Sequence, residues 1–280
     1  MPQGNTGDFK RDLITSPNSK SSQLLLEDIK KSANRPIALY KLGIGLHIYA
    51  DTFSHQDFKG FYDSYNDVYL LTGVDESSNI MILINKIKRR LKNKFLDIPP
   101  VGHGQALTNP DIPYANWSYK RPGGEIIVVN NLKERFIPAI KNIHDFLCVY
   151  LEENPSFKDN DVELKAYDFY KEKLIELLTF QGNSDERHQN WLDKVNNNYF
   201  EFGDFDEVDT QLNYDKRNWF RRAVKAIEDR GFKNKAYNFH SFYKKDNFEQ
   251  SDWVMFMRAA SEHKYKIIHE ILPACGVDAG

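Results

Sequence analysis

Five prolines and four glycines fall within residues 97–124 (DIPPVGHGQALTNPDIPYANWSYKRPGG). Proline fixes φ and removes a backbone donor. Glycine inside a helix or strand costs roughly 0.5–1 kcal/mol. Their density predicts one long structured loop here and no regular element. Loops of that length inside compact domains are commonly functional. Regular structure must therefore be built on either side of it.

The flanking sequence is dominated by helical periodicity. Residues 19–33 read as a helix capped by Asn18 or Ser19, with Leu24, Leu25 and Ile29 among its apolar positions. Asn34-Arg35-Pro36 is a start signal for a second helix running to about Ser54. In that helix Leu39, Leu42, Leu46 and Ala50 form one apolar stripe, with Ile44 and Ile48 as a second. Gly43 and Gly45 are each unfavourable there by about 1 kcal/mol against Ala, and are expected where a neighbouring helix approaches closely. Met81–Phe95 reads as a basic amphipathic helix, a solvated face before it is a nucleic-acid or lipid contact. Further helices are expected at 131–152, with Pro138 as a kink, and at 162–180, 185–199, 215–229 and 251–272. Residues 1–18 read as a loose arm, and 60–78 and 200–214 as loops. Only Glu125–Val129 is strand-like. The expected fold is mostly α, a multi-helix bundle with one long Pro/Gly-rich loop. It is read as a single helical domain over 1–280, with a sub-boundary near 155 separating helices and loop at 19–150 from C-terminal helices at 160–275.

Composition removes several function classes. Apolar residues make up 41%, enough for a core. Thirty-eight basic against 40 acidic residues give a net charge of −2 and no global electrostatic case for nucleic acid. Cys148 and Cys275 are the two cysteines, too few for a disulfide framework or a four-thiolate zinc site. No apolar run approaches the roughly 20 residues of a membrane span. Residues 1–20 lack the apolar region of a signal peptide. A soluble, cytoplasmic protein is the expectation. Phosphate-binding loops, dinucleotide fingerprints and Gly-x-Ser-x-Gly elbows are absent from the sequence.

The segment that carries chemistry is Leu46-His47-Ile48-Tyr49-Ala50-Asp51-Thr52-Phe53-Ser54-His55. At about 100° per residue, His47, Asp51 and His55 fall within roughly 80° of helix surface. The outer histidines lie about 12 Å apart along the axis, too far to share one ion, so Asp51 is expected between two. A solvated polar face is the alternative. His103, flanked by Gly102 and Gly104, is the best further ligand from another segment. Asp111, in Asn109-Pro110-Asp111, is either a site residue or a turn former. Asp57 is a candidate for orienting an imidazole or acting as general base. Tyr114, Trp117 and Tyr119 are a substrate wall or the loop's anchor into the core. His144 beside Asp145 reads as half buried, and His188, His240, His263 and His269 follow no ligand spacing.

His47-x-x-x-Asp51 followed by a histidine, in a mostly helical chain, resembles the zinc-dependent phospholipase C and single-strand nuclease superfamily. More closely, "LHIYADTFSHQDFKGF" with "VGHGQALTNPDIPYANW" resembles an uncharacterised bacterial family of helical proteins. The resemblance runs from about Ser16 to Trp117. The more distant superfamily resemblance implies a zinc cluster and phosphoester hydrolysis. The chain departs from the superfamily pattern in having no second His-x-x-x-Asp/Glu and no histidine in residues 1–20.

The sequence thus points to a metal-dependent hydrolase of a small phosphoester or phospholipid-like substrate. His47, Asp51, His55 and His103 would bind one or two divalent ions, zinc first. Asp51, Asp57 and Asp111 are the candidate catalytic carboxylates. The competing expectation is a non-enzymatic helical interaction module with a structural or degenerate metal site. In that case the aromatic loop and the basic helix would contact a partner, whose identity the sequence does not give.

Overall fold

A computed structural model describes residues 1–4, 6–73, 98–159, 163–201, 217–227 and 241–278. The basic stretch at 81–95, His240 and most of the 200–214 segment lie outside the described residues.

The described residues of 1–18 are tied down. Phe9–Asp12 form a short helix (α1), and β-bridges join Pro2 to Thr15 and Ile14 to Lys59. Helix α2 (Lys20–Lys31) is capped by Ser19, whose side chain accepts from the Ser22 amide. Helix α3 (Ala38–Ser54) starts at Ile37 without a side-chain cap, so Asn34 does not cap it. The two glycines of α3 differ in role. A Cβ at Gly45 would lie 2.2 Å from Ile29 Cδ1, so close approach of α2 requires glycine there; at Gly43 a Cβ would meet open space.

The all-helical bundle expected from periodicity is incorrect. Helices dominate, but two small antiparallel sheets are present, making the fold mixed α/β. The first sheet holds β1 (Tyr69–Thr72), β2 (Asn116–Lys120) and β3 (Ile126–Asn130) in that order. Strand β2 lies inside the segment expected to hold no regular element. Trp117 and Tyr119 alternate inward there, opposite Val129 and Ile127 of β3. A tight turn at Arg121–Glu125 joins the strands, with Gly124 at φ 91°. The second sheet pairs β4 (Val224–Ile227) with β5 (Ser241–Lys244). It replaces the C-terminal part of the helix expected at 215–229, which stops at α7 (Asn218–Ala223).

Between the sheets run α4 (Ile137–Glu153), α5 (Tyr167–Thr179) and α6 (Ser184–Asn196); α8 (Asp252–Lys266) follows β5. A wide π turn, Leu132–Phe136, runs without a break into α4, and Pro138 follows just after it within the helical run 131–153. The core lies in three patches. Phe58, Val68, Ile112, Trp117 and Tyr119 pack beneath the first sheet. Leu25 and Ile29 of α2 meet Tyr150 and Ile271. Tyr49 and Phe53 of α3 meet Ala139 of α4. Among the described residues no helix is long and apolar enough to cross a membrane.

Candidate metal centre

Helix α3 ends at Ser54, and the His55 amide closes its last turn onto the Asp51 carbonyl. His55 is thus the C-cap residue: it keeps the i→i−4 bond to Asp51 but departs from helical dihedrals, with φ −102° and ψ 16°. His47 Nε2 lies 3.6 Å from Asp51 Oδ2, and the His47 side chain is 77% exposed. The three-residue stripe expected to hold two ions does not form one site.

His55 instead turns toward the Pro/Gly-rich segment. Its Nε2 lies 3.0 Å from Asp111 Oδ1. Its ring stacks on that of His103, with centroids 4.2 Å apart and planes at 24°. One potential ligand atom each from His55, His103 and Asp111 lies within 4.8 Å of the others, the one such group among the described residues. Zinc binds nitrogen and oxygen at about 2.0–2.2 Å, which sets tetrahedral ligand separations near 3.4 Å. Two imidazoles and a carboxylate are the donor types a divalent ion takes, but the stacked rings would have to reorient and the donors draw together to hold one.

Local structure explains the placement. Gly102 takes a left-handed φ of 53°, turning the chain so that His103 heads a short 3₁₀ turn, Gly104–Ala106. Asp111 ends a second such turn, Asn109–Asp111. His103 Nδ1 lies 3.1 Å from the Leu107 carbonyl. A carbonyl only accepts, so Nδ1 carries the proton and Nε2 keeps its lone pair for a ligand.

Three residues without sequence signals hold these turns. Asn131 donates to the carbonyls of Asn109 and Ile112 and accepts from Trp117 Nε1. Asn66 accepts from the Lys59 amide and donates to the carbonyls of Lys59, Phe61 and Pro100. Arg135 is fully buried, lies over the Trp117 ring, and donates to the Ser54 carbonyl directly before His55. Trp117 and Tyr119 are buried, so they anchor the loop and do not line a cleft.

Burial pushes the His103 imidazolium below its ordinary range, and the neighbouring His55 adds to this; the charges of Asp111 and Asp51 act the other way. Burial also works to raise the Asp111 carboxyl. The His55 hydrogen bond, with the charges of His103, His55 and Arg135, outweighs it and holds Asp111 below the usual carboxylate range. A neutral imidazole beside an ionised carboxylate is the state a cation requires. Asp51 lies near enough for its charge to act on His103 and on the buried Met1 amino group, whose pKa burial lowers to about 6.

Asp57 stands apart from this group. It is exposed, has a φ of 72°, and its carbonyl accepts from Arg121. His144 contacts the Lys165 carbonyl and the rings of Tyr167 and Tyr170. Cys148 Sγ is 3.8 Å from each of its ring nitrogens.

A family of unknown function (DUF6765) matches residues 1–271. The chain belongs to that family. The match spans the helices, the first sheet and the His55–His103–Asp111 group, so the DUF6765 chain carries the group within its family region. No curated protein matches the chain, and no solved structure does.

Proposed function

We propose that this DUF6765 protein is a metal-dependent hydrolase, most simply of phosphoester bonds, with one divalent ion held by His55, His103 and Asp111. The observation that carries the reading is the convergence of two imidazoles and a carboxylate, from two distant segments, within 4.8 Å. Among the described residues three protein donors converge, which leaves coordination positions for water and substrate, whereas a structural zinc site is closed by four. That count favours a catalytic site over the structural site of an interaction module.

A zinc ion bound there would supply Lewis acidity and lower the pKa of a coordinated water to about 7. The chain's own residues set the conditions. Burial and His55 keep His103 neutral, and Leu107 fixes its tautomer. Asp51, 41% exposed, paired with His47 and acting by its charge on His103, is the carboxylate we assign as general base. The resemblance of the 46–55 block to the zinc-dependent phospholipase C and nuclease superfamily supports the choice of a phosphoester.

Elemental analysis by inductively coupled plasma mass spectrometry, after reconstitution with zinc, tests the reading. About one equivalent in the wild type, lost in His103→Ala and Asp111→Ala, is expected. Hydrolysis of bis(p-nitrophenyl) phosphate should be lost in the same variants. A wild type that holds no metal, or a His103→Ala protein with full stoichiometry, would refute the site. A metal-loaded protein inert toward phosphodiesters and phosphomonoesters would refute the hydrolase.

A further inference from the structure

A concave site that shares no lining residue with the metal centre borders the segment 59–65. It is a cavity of about 770 Å³ between α1, the turn after Phe58 and the β2–β3 turn. That volume is within the range of small-molecule sites, roughly 300–1,000 Å³. Four cations line it, Lys10, Arg11, Lys59 and Arg121, against two carboxylates, Asp63 and Glu125.

The cations are arranged in two tiers. At the floor, Lys59 Nζ is 2.8 Å from Asp63 Oδ2, with 4% of its side chain exposed. Arg121 is also buried, yet its hydrogen bonds go to neutral acceptors: the carbonyls of Tyr65 (3.1 Å) and Asp57 (2.8 Å) and the Tyr119 hydroxyl (2.9 Å). Its guanidinium sits 4.2 Å from the Tyr65 ring centroid. Among the described residues no carboxylate lies within ion-pair distance of Arg121. A buried charge without a counter-charge is costly, and a polar ligand that supplies one lowers that cost. At the rim, the side chains of Lys10 and Arg11 have no hydrogen-bond or ion-pair partner among the described residues. Tyr62, 70% exposed, lines the same cavity and offers a flat apolar face.

From this arrangement we propose that the cavity binds a small phosphomonoester bearing a planar group, of mononucleotide size. The excess of two positive charges matches a phosphate monoester, which carries about −1.5 to −2 at neutral pH. Lys10 and Arg11 contact its oxygens by charge-assisted hydrogen bonds, Arg121 provides the field beneath them, and Tyr62 covers the planar group. None of these residues belongs to the His55–His103–Asp111 group, so the site does not depend on the hydrolase reading.

Isothermal titration calorimetry on the full chain, at fixed ionic strength, tests it with adenosine 5′-monophosphate and with inorganic phosphate. Both should bind the wild type, and the paired substitution Lys10→Glu, Arg11→Glu should weaken both by about tenfold or more. Tyr62→Ala should weaken the nucleotide and leave inorganic phosphate unchanged. In metal-free protein His103→Ala should leave both unchanged. Absence of binding at millimolar concentration, or equal affinity in the Lys10/Arg11 variant, would overturn the proposal. Loss of binding in metal-free His103→Ala alone would overturn it too, by assigning the anion to the metal centre.

Discussion

The imidazoles of His55 and His103 stack 4.2 Å apart at 24°, one at the end of α3 and one on the Gly102–Gly104 turn. His47, on the same helix as Asp51, faces solvent. The two kinds of histidine separate in a metal-binding experiment. His55→Ala and His103→Ala should each lower zinc affinity by 100-fold or more, an order-of-magnitude figure for losing one of three ligands. His47→Ala should change it less than about threefold. Competition titration against a chromophoric chelator reads the difference, and equal losses in all three variants would return the site to the helix stripe.

His103 supplies a spectroscopic check. Its imidazolium is disfavoured first by burial and then by His55, and its Nδ1 faces the Leu107 carbonyl. In metal-free protein it should titrate below 6.5 and, when neutral, carry its proton on Nδ1. Long-range proton–nitrogen correlation spectra across pH 5–8 resolve both points. The sign for stability follows from linkage. The unfolded chain takes up this proton at higher pH than the folded one, so stability falls as pH drops from 6.5 toward the folded value. A His103 signal titrating above 6.5 would contradict the buried, stacked arrangement.

Much of the helical framework was legible because caps and apolar periodicity agree locally, as at Ser19 and along 251–272. Strand β2 was hidden by composition: prolines and glycines around it outweighed the alternation of Trp117 and Tyr119 with Ser118 and Lys120. The turn signal Arg121-Pro122-Gly123-Gly124 could have revealed the hairpin. At the candidate site, His55, His103 and Asp111 were all named from sequence, but their grouping was not legible. His55 caps the end of α3, where its partners are Asp111 and His103 on a loop whose position the helical spacing does not encode. Arg135, Asn131 and Asn66 act through partners distant in the chain, such as Ser54 and Pro100, and single polar residues carry no periodic signal.

The glycines of α3 give opposite expectations for one substitution. Gly45→Ala places a methyl 2.2 Å from Ile29 Cδ1 and 2.9 Å from its Cγ1, so α2 and α3 must part. A loss of about 1–3 kcal/mol is expected. Gly43→Ala meets nothing within 4 Å and should add up to about 1 kcal/mol by helix propensity alone. Urea denaturation followed by circular dichroism measures both. Two destabilised variants would mean that Gly43 also faces a neighbour.

Acid sensitivity should arise where α2, α3 and α8 meet. Lys41 of α3 is fully buried, 2.5 Å from Asp28 Oδ2 and 3.0 Å from Glu262 Oε1. Arg35 makes a two-point contact with Glu262, at 2.5 and 2.7 Å. The Arg35 hydrogen bond, with lesser help from Lys41, overcomes burial and holds the Glu262 carboxyl near 2, against an ordinary 4.5. A carboxylate depressed on folding stabilises the native state above its unfolded pKa. That contribution shrinks as pH falls from 4.5 and is gone below about 2. Glu262→Gln removes the charge at every pH and should cost about 1–3 kcal/mol at pH 7. The gap between wild type and variant should therefore narrow steadily from pH 4.5 to pH 2.5 in thermal melts at constant ionic strength. A gap that stays constant over that range would show that Glu262 acts through packing and not through its ionised contact with Arg35.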